Sequence, residues 1–154
     1  MTSPEQISVR RLASEDLDDV IDFEIELARI SFPEDPILDR GFHHKRLRRL
    51  VDGDGAFVAE AADGHLVGWL WASRRENFST KKAYCDFHSL YVAQEVRGGA
   101  VAFRLMRELF DFCTRNELPS IQGRTAAGNT QMQSIYEAAG FTARHITFEC
   151  VLDG

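Results

Sequence analysis

Midway along the chain the stretch SLYVAQEVRGGAVAFRL, Ser89 to Leu105, passes from an apolar strand into a helical pattern through two adjacent glycines. No other segment constrains the fold as tightly, because it places a strand, a tight turn and a helix in immediate succession. A turn of Arg97-Gly98-Gly99-Ala100 leading into a helix presents several amide N–H groups that the helix itself cannot satisfy. Small residues let a ligand approach those amides, and the helix dipole favours negative charge there, so the turn can cradle a phosphate. On spacing alone, a plain tight turn is the commoner reading. The better-known phosphate loops are absent: the chain has no G-x-x-x-x-G-K-[ST] and no G-x-G-x-x-G.

The elements around this junction follow from period and punctuation. Ile7 to Arg11 reads as a strand, and Ser14, followed by Glu15 and Asp16, reads as the start of a helix to about Ile30. Leu17, Val20, Ile21, Phe23, Ile25, Leu27 and Ile30 are too many for one stripe, so that helix is well covered or contacts a ligand. Pro33 and Pro36 break it. ILDRGFHHKRLRRLV reads as a second helix with Leu47, Leu50 and Val51 inward. GAFVAEAADGHLVGWLWASRR reads as two strands around an Asp-Gly turn, and AYCDFHSLYV as a third. A helix from Gly99 to about Asn116, a short strand in SIQGRTAA, a helix in TQMQSIYEAA stopped by Gly140, and a closing strand in TARHITFECVL complete the order β-α-α-β-β-β-α-β-α-β. With no repeat or linker, 154 residues and 44% hydrophobic content, the expectation is one α/β domain over 1–154, a mixed sheet with helices on both faces.

Charge and cysteine usage narrow the function. A net charge of −6 argues against nucleic acid and anionic membranes as partners and leaves room for a cationic small substrate. MTSPEQISVRR lacks the apolar core of a signal peptide, and no apolar run approaches the roughly 20 residues that span a bilayer, so the expected location is cytoplasmic. Cys85, Cys113 and Cys150 are far apart and lack C-x-x-C spacing, which suggests neither a disulfide framework nor a zinc site. His43 and His44 diverge on a helix, and no metal is implied. The basic run HHKRLRR reads as a solvated helical face.

Two segments together resemble a known family. SLYVAQEVRGGAVAFRLM is similar to the acyl-coenzyme A binding segment of the general-control-related N-acetyltransferase (GNAT) superfamily, L-x-V, a short loop, then [QR]-x-x-G-x-[GA] opening a helix. Leu90 and Val92 match the L-x-V pair, Arg97 the first loop position and Ala102 the last small one; Ala100 stands where the family usually has glycine. Downstream, GNTQMQSIYEAAGF resembles N-x-x-[apolar]-x-x-x-Y-x-x-x-G-F through Asn129, Met132, Tyr136, Gly140 and Phe141. The resemblance covers nearly the whole chain and implies the GNAT fold, a mixed, mostly antiparallel central sheet flanked by helices.

It further implies direct transfer of an acetyl group from acetyl-coenzyme A to a primary amine of a small molecule or peptide, within a ternary complex. By the same resemblance the main chain of Leu90, Tyr91 and Val92 pairs with the pantetheine arm, the amides of Arg97, Gly98, Gly99, Ala100, Val101 and Ala102 take the pyrophosphate, and Asn129 and Tyr136 complete the coenzyme site. Tyr136 points at the coenzyme sulfur in such a site, where a phenol can donate to a thiolate. The glutamate that several relatives carry on this strand is replaced here by His88 and Ser89. Strand alternation places Asp86 and His88 on one face with Leu90 and Val92. His88 is then a candidate base, Asp86 a second, and water a third. A strand histidine is also a common structural residue. Asp18, Asp19, Asp22, Glu24 and Glu26 read mainly as a solvated helix face, while Phe32, Glu34 and Asp35 in the break are the candidate substrate contacts; Trp69 and Trp71 share one strand face as pocket wall or core. A non-catalytic acyl-coenzyme A binding domain is the alternative, and, since dimers are common in the family, a homodimer is open.

Overall fold

A computed structural model describes residues 6–96 and 98–152. A five-stranded sheet in the order β1-β2-β3-β4-β5 runs through the molecule: β1 Ser8–Arg11, β2 Ala56–Glu60, β3 Leu66–Glu76, β4 Ala83–Val92 and β5 Ile121–Gly123. The first four strands pair antiparallel and β5 pairs parallel to β4. The helices are α1 Leu17–Ser31, α2 Arg40–Leu47, α3 Ala100–Arg115 and α4 Thr130–Ala138.

Strand alternation divides the core between the two faces of the sheet. Phe57, Ala59, Leu70, Cys85 and Phe87 pack with Val101, Leu105, Met106 and Leu109 of α3, while Ala56, Val58 and Trp69 pack with Val20, Ile21 and Ile25 of α1 and Leu47 of α2. The Asp-Gly hairpin forms as expected, with Gly64 at φ +92°. None of the described helices is long and apolar enough to cross a membrane.

Three local expectations are corrected. Ser14 does not cap α1; residues Ser14–Asp16 form a short 3-10 turn, and Asp16 makes the side-chain contact, accepting from the amide of Ala13 at 2.8 Å and from Arg10 Nη1 at 2.7 Å. The expected closing strand is absent. Thr142 to Leu152 are exposed and form no strand pairing among the described residues. Alternating apolar residues make a strand only where a neighbour supplies hydrogen bonds and a buried face, and here neither reaches the segment.

The third correction concerns β4. Trp71 stands opposite Ser89 but Ala72 opposite Phe87, so His88 is an extra residue, a β-bulge. The bulge reverses the alternation. Asp86 and His88 therefore keep to the α1 side, where His88 meets Ser73 and Trp71, whereas Leu90 and Val92 pack into the α3 core.

Candidate active site

β5 pairs with β4 only at Cys85, Asp86 and Phe87. Past that point the two strands part, and among the described residues no strand pairs with the β5 side of His88 to Leu90. A cavity of about 480 Å³ opens at the parting, bounded by α1, the break after it, β4 and α4. It brings together Phe32, Asp35, His88, Leu90, Asn129 and Tyr136 of the expected site residues. Glu34, Asp86, Tyr91, Val92, Gly98, Gly99, Ala100, Val101 and Ala102 do not line it. Arg97 lies outside the described residues.

Tyr136 enters from α4, with its ring edge-on to Phe87 at 5.8 Å and tilted against Phe141 at 5.0 Å. Its hydroxyl donates to the carbonyl of Arg124 at 3.3 Å. Burial pushes the phenol up to about 12, so it remains a proton donor throughout the neutral range. The ring fits because residue 123 is glycine: a Cβ there would stand 2.1 Å from the Tyr136 hydroxyl. Asn129 begins α4, its side chain accepting from the amide of Met132 at 3.1 Å, so the residue that lines the cavity also aims the helix carrying Tyr136.

His88 stacks on the indole of Trp71, centroids 3.8 Å apart, and its Nε2 sits 2.8 Å from Ser73 Oγ. The Asp86 carboxylate, 3.7 Å from the same nitrogen, favours a proton on Nε2 and leaves the lone pair on Nδ1. Burial lowers the imidazole below its ordinary 6.5, with Arg75, Arg124 and Arg46 acting in the same direction and the Asp86 charge opposing them. A neutral ring with a free nitrogen can accept a proton.

Asp86 is a different case. It is 3% exposed, and its two oxygens bind Arg75 Nε at 2.9 Å and Arg124 Nη2 at 2.8 Å. A carboxylate clamped by two guanidinium groups outside the cavity lining ties the loop after β5 to β3 and β4.

At the α3 turn, Gly98 and Gly99 have φ of +156° and +94°, a conformation that favours glycine. A Cβ at Gly98 would meet nothing within 4 Å, so that backbone faces open space. Val101 and Ala102 are buried at 0% and 2% exposure, and the first turn of α3 holds no acidic residue. Arg46, Arg124 and Glu24 also line the cavity. Sequence reading did not single out either arginine, because nothing in the local pattern says which charged residue of a helix or loop turns inward.

The sheet thus parts beside a glycine turn that opens α3, with a tyrosine at the gap. The sequence matches the acetyltransferase (GNAT) family over residues 17–141, and the chain belongs to that family. No curated protein sequence matches it significantly. Among solved structures, a possible acetyltransferase from Clostridium difficile 630 is similar at 18% identity and TM-score 0.74, covering 97% of this chain and 99% of that one. An aminoglycoside N-acetyltransferase, AAC(6')-Iy, solved in complex with CoA, is similar at 20% identity and TM-score 0.74, with 94% of each chain covered. A ribosomal-protein-alanine N-acetyltransferase from Brucella melitensis biovar Abortus 2308 shares 18% identity at TM-score 0.72, covering 95% and 99%. At such identities the likeness speaks to the fold.

Proposed function

We propose that the chain is an N-acetyltransferase that moves an acetyl group from acetyl-coenzyme A to the primary amine of a small molecule or peptide, by direct attack in a ternary complex. The observation that carries this reading is the cavity at the parting of β4 and β5, where Tyr136 and His88 border one space beside a bare strand edge.

The residues present fit the coenzyme. The open backbone at Gly98 and the left-handed Gly99 lead into a helix N-terminus, where the amides of Ala100, Val101 and Ala102 would take the diphosphate. Arg97, adjoining the turn, would add a cation, and the main chain from Leu90 to Val92, with Asn129, would hold the pantetheine arm. Bound there, the coenzyme supplies an electrophilic thioester carbonyl and a thiolate leaving group. The chain then has three tasks: orient the amine, take up its proton and hand one to the sulfur. His88 Nδ1 takes the amine proton, directly or through a water. The Tyr136 hydroxyl, held protonated by burial, is the donor. Asp86 holds Arg124 in place and orients His88 from behind.

Calorimetric titration with coenzyme A and thiol release from acetyl-coenzyme A over a panel of amines test the reading. Coenzyme uptake with amine-dependent thiol release is expected. Uptake without release would favour a non-catalytic acyl-coenzyme A binding domain, and no uptake by folded protein would sink both.

A further inference from the structure

The carboxylates of α1 do not build an acidic receptor. Asp22 and Asp18 pair outward with Arg40, and Glu26 accepts from the Tyr91 hydroxyl at 2.6 Å. Only Glu24 and Asp35 of the acidic group line the cavity. Glu24, 6% exposed, is already engaged: its Oε1 accepts the indole N–H groups of Trp69 at 2.8 Å and Trp71 at 3.1 Å, and its Oε2 lies 3.6 Å from Arg46 Nη2. Arg46 and Arg124 line the same space, so its formal charges balance. A polycation entering it would meet two guanidinium groups.

Arg46 is held where it stands. His43, 2% exposed, donates from Nε2 to the carbonyl of Ile37 at 2.8 Å, which leaves Nδ1 to accept from Arg46 Nη2 at 3.3 Å. The guanidinium also lies over the Phe42 ring, 5.5 Å from its centroid. At 3.6 Å the contact with Glu24 is an ion pair longer than a hydrogen bond, so the 41% exposed Arg46 side chain keeps N–H donors for another acceptor. Arg124 gives one N–H, from Nη2, to Asp86 at 2.8 Å, and that bond draws it to β4, away from the Phe42 side of the cavity where Arg46 stands. Phe32, Phe42 and Trp71 supply apolar walls beside the free donors.

We propose that the acceptor is an amino carboxylate with an apolar or aromatic body, its carboxylate bound by the fork of Arg46 and its amine directed toward His88. This rests on the acetyl-transfer reading and names the acceptor class within it. Phenylalanine and phenylalaninamide form a matched pair of probes. The amide has the less basic amine, so ionisation alone favours it, and a preference for the acid reports recognition of the carboxylate. The acid is expected to exceed the amide at least tenfold in kcat/KM; Arg46→Gln should bring the ratio near one by raising KM for the acid, and Arg46→Lys should retain part of it. An amide used equally well, a ratio that survives Arg46→Gln, or spermidine used better than phenylalanine would overturn the proposal. Quenching of indole fluorescence by the two probes reads binding without turnover. Acid-selective, Arg46-dependent quenching with no thiol release would refute acetyl transfer while sustaining the carboxylate site; quenching without acid selectivity would refute the site itself.

Discussion

Tyr136 and Gly123 act as a pair, although thirteen positions separate them in the chain. Tyr136→Phe should lower kcat roughly 10²-fold, within the usual range for a general acid, while coenzyme Kd stays within twofold by calorimetry. Gly123→Ala should reproduce much of that loss with the hydroxyl still present, because the added methyl would meet Cε1 and Cζ of the ring at 2.6 Å as well as the hydroxyl. Equal turnover of either variant and the parent would remove Tyr136 from the chemistry. His88 makes a different prediction. Its lowered pKa places the loss of the base below pH 6.5, so kcat/KM should fall with slope one as the amine protonates and with slope two once pH drops through the imidazole value. His88→Gln should lack the steeper limb; its persistence in the variant would assign the limb to another group. Tyr136 and the glycine turn were legible in sequence because both sit in spaced motifs, whereas Gly123 carried no signal of its own, since its constraint is a ring from another element.

At the scale of elements, the junction of β1 and α1 depends on Asp16. Burial opposes its ionisation, yet the bonds from Arg10 and the Ala13 amide outweigh that and hold the carboxyl below its ordinary 3.8. Its stabilisation is therefore complete above that value and is lost as pH falls through the lower, folded-state value. Asp16→Asn should cost about 1–2 kcal/mol at pH 7 and much less near pH 2, read from urea denaturation at each pH; an equal cost at both would mean that packing, not charge, matters there. The elements themselves were largely readable. AYCDFHSLYV is β4 residue for residue, and Gly140 stops α4 as expected, with the amide of Phe141 bonded back to the Tyr136 carbonyl at 2.9 Å. The bulge at His88 was not readable, because a bulge arises from the pairing of two strands and leaves no mark on the period of either. Nor was the bond of Asp16 to the Ala13 amide, since Ser14 is a good cap by type and only the place of Arg10 draws the Asp16 carboxylate back to that amide.

For the whole molecule, the exposed segment after Phe141 is the feature that bears on assembly. Ile146, Phe148, Val151 and Leu152 are 79–89% exposed, an apolar load that soluble chains ordinarily cover. We expect two copies to associate through it, with the sedimentation coefficient rising with concentration. The double variant Ile146→Asp, Phe148→Asp should stay monomeric at an unchanged melting temperature, since neither side chain touches the core; a parent that sediments as a monomer at every concentration would dismiss the association. The same contrast between local and assembled information runs through the molecule. The order of helices and strands as far as α4, the hairpin and the glycine turn before α3 follow from the sequence alone, because hydrophobic period, turn chemistry and backbone preference act over a few neighbouring residues. The cavity belongs to the tertiary structure. Which carboxylate is engaged, which arginines turn into the cavity, how His88 is turned and whether the last segment finds a partner all depend on groups distant in the chain that meet only when sheet and helices pack.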